Sequence, residues 1–265
     1  MNRPFDPTPA AELLADAWRS GALLTELPAA IRPRTIAEGY DVQDRLIAVL
    51  GEPVAGWKLG AGSVAQKRQS GAGRSIAGRI LRHRLYPSGA TVPLPNNAPV
   101  TIEFEIAYVL GRDIEPEEKE FPVLDAVAEV RIAFELVRSR FVDRRAVGWP
   151  SFAADDAAFH ALVLGETIDP ARAAELADTL VVTIDGNEAA RSLSGDDATD
   201  PATAFTDLVA TARERGMRLP RGSIVSTGTV SKPFNVVAPA KISARFLDTE
   251  LGFRTLVDPL RSIKP

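Results

Sequence analysis

The chain has 265 residues, enough for one large domain or for a small helper segment fused to a larger domain. Its 45% hydrophobic and 25% charged content is that of an ordinary folded protein and excludes disorder and fibrous repeats. Lys+Arg 31 against Asp+Glu 35 gives a net charge of −4, so no basic field draws the chain to nucleic acid, and the lack of cysteine removes thiolate nucleophiles, disulfides and cysteine-based metal sites together.

The N-terminus carries charge and proline where a secretory segment needs an apolar run, so no signal peptide is expected and the cytoplasm is the expected compartment. The longest stretch free of Asp, Glu, Lys and Arg, Leu85 to Ile102, contains Pro87, Pro93, Pro95 and Pro99 and cannot span a membrane. The first fifty-odd residues predict two helices. Asp6 or Thr8 caps the first, Leu13, Leu14, Ala17 and Trp18 recur at helical spacing, and Gly21 stops it. The second opens on a capping box, with Thr35 and Glu38 each bonding the other's backbone amide. Val42, Leu46, Val49 and Leu50 form its apolar face, and Gly51 ends it.

From Ala55 onward the pattern is short strands punctuated by Gly and Pro: Val92–Leu94, Thr101–Leu110, Arg131–Val137, Leu180–Ile184, Ile224–Val225 and Lys241–Phe246. Two further helices are expected, one over Pro122 to Glu129 and one from an Asp200 cap and Pro201 to Gly216. The organisation is therefore α+β, with a helical segment over 1–54 and a β-rich domain over 55–265.

Residues 102 to 110 alternate, placing Ile102, Phe104, Ile106, Tyr108 and Leu110 on one strand face and Glu103 with Glu105 on the other. Two carboxylates with Cα atoms roughly 6.6 Å apart suit one cation, and they equally suit a solvated strand face. Glu135 sits in the apolar run Ile132–Val137, where a carboxylate must pair, bind metal or become neutral; its candidate partners are Arg131, Arg138, Arg140 or a metal ion. Three carboxylates without thiol or imidazole make a hard oxygen site that favours Mg2+ or Mn2+. Lys58, between Gly56 and Gly60, is either a pocket lysine acting as acid, base or carboxylate clamp, or a surface lysine lying along apolar neighbours. Asp155 and Asp156 form either a polar loop before a buried strand or acids standing behind a site. Ser226, Thr227, Gly228 and Thr229 form a turn-rich string that can offer hydroxyls and amides to an anion. His160 reads as a packed structural histidine and His83 as solvent-facing. The chain has no dinucleotide-binding, P-loop or nucleophile-elbow motif.

In order along the chain, GWKLG at 56–60, IEFEIAYVLGRDI at 102–114, FELVRSRF at 134–141, ADDAAFHALVLG at 154–165 and SIVSTGT at 223–229 resemble the 2-keto-4-pentenoate hydratase family of the fumarylacetoacetate hydrolase-like superfamily. The resemblance implies rolled, layered mixed sheets of the fumarylacetoacetate hydrolase C-terminal type, and a homo-oligomer acting on a small 2-oxo or 2-hydroxy-dienoate. It implies Glu103, Glu105 and Glu135 as the metal ligands and Lys58 as a pocket lysine. Three positions depart from the pattern: Ile76 stands where an acid is usual, Asp156 where asparagine is common after Asp155, and Asp200-Pro201 where histidine-proline is usual. The implied chemistry is metal-assisted hydration of a dienoate, with Lys58 or Asp155 moving protons and Ser226 to Thr229 binding substrate. Its rivals are decarboxylation of a vinylogous 2-oxo acid, C–C hydrolysis of an acylpyruvate, and non-catalytic binding of a small molecule. For a second carboxylate on a longer substrate, Arg74, Arg79 and Arg138 are the candidates.

Overall fold

The computed structural model describes residues 4–95, 98–175, 179–246 and 249–258. Two helices lead the chain, α1 (Thr8–Ser20) and α2 (Ile36–Leu50). The first is capped at Pro7, while Asp6 accepts the Thr8 amide at 3.0 Å; Gly21 closes it at φ +76°. Thr35 accepts the Glu38 amide at 3.1 Å in α2, but the glutamate returns to the Arg34 amide at 2.6 Å, so only half of the expected box forms.

Thirteen strands follow among the described residues. Those that build the site are β1 (Val54–Gly60), β2 (Ile76–Leu81), β5 (Val100–Leu110), β6 (Val127–Val137), β7 (Phe159–Ile168) and β10 (Ile224–Thr229). With β3 (Leu85–Pro87) they order as β2-β1-β10-β5-β6-β7-β3, and β11 (Phe234–Val236) adds to β5. The second sheet orders as β4-β13-β12-β8-β9, from β4 (Thr91–Leu94), β13 (Thr249–Val257), β12 (Ala240–Phe246), β8 (Val181–Ile184) and β9 (Asn187–Arg191). Both sheets are mixed: β1 runs parallel to β10, β3 to β7 and β4 to β13, and the other pairs are antiparallel.

The alternation in β5 explains the layering. Ile102, Phe104, Ile106, Tyr108 and Leu110 enter a core shared with Ile242, Phe246 and Phe253 of the second sheet, where Phe134 packs edge-on against both Phe104 and Phe253 at 5.3 and 5.4 Å. Each such aliphatic or aromatic side chain contributes about 1.5–3 kcal/mol by leaving water. The opposite face is also covered: Ala107 and Ala133 pack with Trp18 of α1. The face that carries Glu103 and Glu105 is thus not a solvated one, which removes the bland alternative for that pair.

Three elements differ from the sequence reading. Over Pro122–Glu129 only a short 3-10 turn forms, Val123–Ala126, and β6 already begins at Val127, because Val127 and Val130 pair with Leu110 and Tyr108 of β5. Two short helices were not foreseen, α3 (Val64–Ser70), with a full capping box between Ser63 and Gln66, and α4 (Gly148–Ala154). The helix from the Asp200 cap runs as expected, here α5 (Pro201–Glu214), with Asp200 accepting the Thr203 amide at 2.7 Å.

Candidate metal centre

Glu103 and Glu135 are register partners across β5 and β6, and Glu105 stands two residues along the same face of β5. Their carboxylate oxygens all lie within 4.8 Å of one another, with Glu105 and Glu135 wholly buried. Lys58 comes from β1, separated from β6 by β10 and β5. Three strand spacings would hold these backbones roughly 14 Å apart in a flat sheet. Lys58 Nζ nevertheless sits 2.9 Å from Glu135 Oε1, so the sheet curls around this face. A Cβ on Gly60 would press on the Phe152 ring at 3.3 Å and touch Lys58 Nζ at an ordinary 3.5 Å, so the glycine chiefly admits Phe152 to the cavity wall.

The carboxylates are oriented from behind. Glu105 Oε2 accepts from Ser226 Oγ at 2.5 Å and from the Gly228 amide at 3.0 Å. Gly228 is at φ +100°, where a side chain would be strained and its Cβ would meet the Leu59 carbonyl at 3.0 Å. Glu105 Oε1 and Glu135 Oε2 are buried without a hydrogen-bond donor. Buried carboxylate oxygens with no donor, converging from three side chains, fit a hard divalent cation in the absence of any softer ligand.

Burial, the largest influence, and the neighbouring Glu103 charge raise the Glu135 carboxyl to about 7 against the opposing pull of the Lys58 ammonium. Burial and the charges of Glu135 and Glu103 push Glu105 well above the usual range. The consequence for stability is a sign that can be checked. A carboxyl whose folded value lies above its unfolded one binds an extra proton in the native state between about pH 4.5 and 7, so stability falls as pH rises through that window. Metal-free protein in EDTA is therefore expected to melt roughly 5–10 °C lower at pH 8 than at pH 5.5. Saturating Mg2+ should raise the melting temperature more at pH 8 than at pH 5.5. Circular-dichroism melts check this; a metal-free melting temperature that is flat or rises over this range would contradict it.

The carboxylate cluster opens into a cavity of about 370 Å3, lined by Lys58 and Glu103, by Gln66 and Gln69 of α3, by Arg144, Arg145, Trp149 and Phe152 around α4, and by Gly228 and Thr229. The sequence reading missed the arginines and the α3 and α4 residues. The Ser63/Gln66 box and the Gly148-Trp149-Pro150 turn were the available signals.

Other expectations are redistributed. Glu135 pairs with Lys58 rather than with an arginine, because the curl brings β1 over it while Arg131 Nε reaches the Gly165 carbonyl and Arg140 turns to Asp155. Lys58 is buried, not a surface lysine, and also donates to the Ala157 carbonyl at 3.0 Å. Asp155 does not line the cavity: it accepts from Ser139 Oγ at 2.6 Å, from the Arg140 amide at 3.0 Å and from Arg140 Nε, which makes it a buttress under the loop. Ser226 and Thr227 also lie behind the wall, Thr227 Oγ1 donating to the Ile106 carbonyl, so of the four-residue string only Gly228 and Thr229 face the cavity. Ile76 packs in the core opposite Gly60. Arg74 pairs with Glu214, Arg79 with Asp44, and Arg138 donates to the Gly21 carbonyl, so none of the three lines the cavity. His160 is buried near the Pro93 carbonyl and held neutral by burial and surrounding arginines, as a structural histidine should be, whereas His83 pairs with Glu52 at 2.8 Å.

Comparison with known proteins agrees with this geometry. Residues 81–249 match the family model described as the fumarylacetoacetate (FAA) hydrolase C-terminal domain. The chain is 28% identical over 239 residues, 88% of each chain, to a 2-keto-4-pentenoate hydratase of Paraburkholderia xenovorans. It is 30% identical to another 2-keto-4-pentenoate hydratase, from Paraburkholderia phymatum, over 77% of this chain and 78% of that protein. Its fold is that of the 4-oxalocrotonate decarboxylase of Pseudomonas putida G7, solved with magnesium and adipate, at a TM-score of 0.84 and 21% identity over 96% of this chain and 100% of that one. The conjunction of three acidic side chains on adjacent strands, a lysine reaching them across a curled mixed sheet, and these matches in sequence and fold means that the chain belongs to the fumarylacetoacetate hydrolase family, in the group of the 2-keto-4-pentenoate hydratases.

Proposed function

We propose that this protein is a divalent-metal-dependent hydratase that adds water to a 2-hydroxy-2,4-dienoate and releases a 4-hydroxy-2-oxo acid. The observation that carries the reading is the Glu103, Glu105 and Glu135 triangle beside Lys58 on the wall of a cavity sized for a small acid. The names and coverage of the hydratase relatives support it. Glu103, Glu105 and Glu135 would hold Mg2+ or Mn2+, which when bound supplies Lewis-acid stabilisation of negative charge on the substrate's 2-oxygen.

The protein's own groups do the rest. Lys58 is kept protonated because its neighbours Glu135, Glu103 and Glu105 more than offset the opposing effect of its burial. Its ammonium faces the cavity, donates a proton to C5 of the dienol and is replenished from the 2-hydroxyl, leaving a 2-oxo-3-enoate whose C4 is electrophilic. Water then bonds to C4 and its proton goes to C3, which balances the hydration. Trp149 and Phe152 form the apolar wall against which the carbon tail lies. No helix among the described residues is long and apolar enough to cross a membrane; a cytoplasmic homo-oligomer acting on a soluble acid completes the proposal. The test is loss of dienol absorbance with 2-hydroxypenta-2,4-dienoate, comparing EDTA-treated protein with protein restored by Mg2+ or Mn2+. Metal-dependent formation of 4-hydroxy-2-oxopentanoate is expected; metal binding without turnover would leave a binding protein.

One observation favours a second reading, decarboxylation of a 2-oxo acid with a remote second carboxylate. Arg144 and Arg145 line the cavity, and among the described residues neither guanidinium has an ion-pair partner. If they bind a remote carboxylate, Arg144→Gln is expected to raise KM for a six-carbon 2-oxo-enedioate about tenfold or more, with a much smaller change for 2-hydroxypentadienoate. Steady-state kinetics on the two substrates separate the readings.

A further inference from the structure

The carbonyl that holds Lys58 belongs to a turn with an uncommon backbone. Asp156, Ala157 and Ala158 have φ of +53°, +48° and +61°, three consecutive non-glycine residues in the left-handed region. Isolated Asp or Asn residues visit that region; alanines do so rarely, and a run of three persists only where its surroundings hold it. Here they do. Asp155 is fixed by Arg140 and Ser139 at one end, and the Ala158 carbonyl accepts the Arg138 amide at 2.8 Å at the other. Between them, Asp156 Oδ1 accepts the Arg79 backbone amide at 2.6 Å.

That bond falls beside the functional lysine. Gly78, the residue before Arg79, is the register partner of Lys58 across β1 and β2, and a Cβ on it would lie 2.5 Å from the Asp156 carbonyl oxygen. A glycine on β2 therefore admits the turn, the Asp156 carboxylate ties it down one residue further on, and the next carbonyl, that of Ala157, receives Lys58 Nζ. The charged groups facing Asp156 are Arg79 of β2, Lys58 of β1 and Arg140 from the segment after β6. The carboxylates on β5 and β6 make no hydrogen bond to Asp156; Glu135 meets this chain of contacts only through Lys58 Nζ, at 2.9 Å.

We propose that Asp156 is a positioning residue: it latches the left-handed turn onto β2 so that the Ala157 carbonyl holds Lys58 Nζ against Glu135 at the cavity wall. The proposal rests on the reading of Lys58 as the proton-moving group, and its test separates the two.

Asp156→Ala is expected to lower kcat on the dienoate at least about tenfold, with KM and Mg2+ affinity within about twofold of wild type. Asp156→Asn keeps an oxygen for the Arg79 amide and tolerates the left-handed backbone, so it should restore kcat to within about threefold. The second readout does not need turnover. The chain has six lysines, and acetylation by a water-soluble succinimidyl ester, followed by peptide mass spectrometry, reports each. Lys58 should be protected in wild type and become at least about tenfold more reactive in Asp156→Ala, while Lys67, Lys119, Lys232 and Lys241 keep their rates. Lys119, Lys232 and Lys241 are exposed and serve as internal standards, whereas general loosening would also raise the rate of Lys67, which is 15% exposed beside Asp207, and that would overturn the proposal. Should Asp156→Ala fail to fold, Asp156→Gly adopts the same backbone without penalty and lacks the latch, and the same outcomes apply. Wild-type kcat together with a protected Lys58 in the latchless variant overturns the proposal, as does an Asp156→Asn protein that behaves like Asp156→Ala. If wild-type protein turns over no dienoate, the functional reading fails while the acetylation pattern still decides the positioning.

Discussion

Replacing Glu105 with glutamine should abolish divalent-cation binding and turnover while leaving the metal-free fold intact or firmer. The glutamine retains an oxygen for Ser226 Oγ and the Gly228 amide, the two donors that orient the native side chain. What it loses is a negative charge beside two other carboxylates, the property a hard cation requires. Mg2+ affinity is expected to fall by about 100-fold or more and kcat to below roughly a thousandth of the native value. The metal-free protein meets the opposite effect. Glu105 is wholly buried and its charged form is opposed by burial and by its acidic neighbours, so a neutral amide removes an unfavourable charge. At pH 8 in EDTA the variant should therefore melt at or above the wild-type temperature. Calorimetric Mg2+ titration and melting curves on the same sample measure both halves; retained Mg2+ affinity would take Glu105 out of the metal site.

Lys58→Met should give the second large effect, with the two functions splitting the other way. Methionine fills much of the space of the lysine stem but has no proton to give, so kcat is expected to fall about 10²- to 10⁴-fold. The three carboxylates remain, and Mg2+ affinity at pH 8 should stay within about tenfold. Removing one member of a buried pair costs on the order of 3–5 kcal/mol when the other stays charged. Glu135, already near 7, can instead take up a proton, so the variant's stability deficit should be small at pH 6 and larger at pH 8. Single-turnover kinetics beside metal titration would show the split; a variant that loses metal affinity and keeps kcat at saturating Mg2+ would exchange the roles assigned here to Lys58 and the carboxylates.

The three-carboxylate cluster was legible in the sequence because a strand has a period of two and a buried charge is conspicuous. Glu103 and Glu105 declare a common face by alternation alone, and Glu135 stands out in an apolar run. The pairing of Lys58 with Glu135 was not legible, since it spans 77 positions and depends on the curl of a sheet with two strands between them. The same limit misdirected Ser226 and Thr227: composition marks a hydroxyl-rich string but not which way each hydroxyl points, and two of the four side chains serve the protein interior. Asp155 was singled out by its charge, and its charge is consumed by Arg140. The stretch from Pro122 to Glu129 looks helical locally and becomes strand because Val127 and Val130 find partners on β5, a preference no local window contains. Arg144 and Arg145 carry no motif; only the turn before α4 places them on the cavity wall.

The ladder between β5 and β6 has an evolutionary corollary. Glu103 faces Glu135 because two strands are in register, so the carboxylate triangle is specified by backbone pairing deep in the fold, whereas the opposite walls come from α3 and the turn leading into α4. Mutations in those peripheral pieces can recut the pocket for a longer tail or a different charge without disturbing the three carboxylates, while a one-residue slip of either strand would turn its acids to the wrong side at once. Such an arrangement lets substrate preference drift quickly over an almost immovable centre, which gives a physical reason for a family in which one scaffold serves both hydratases and a decarboxylase.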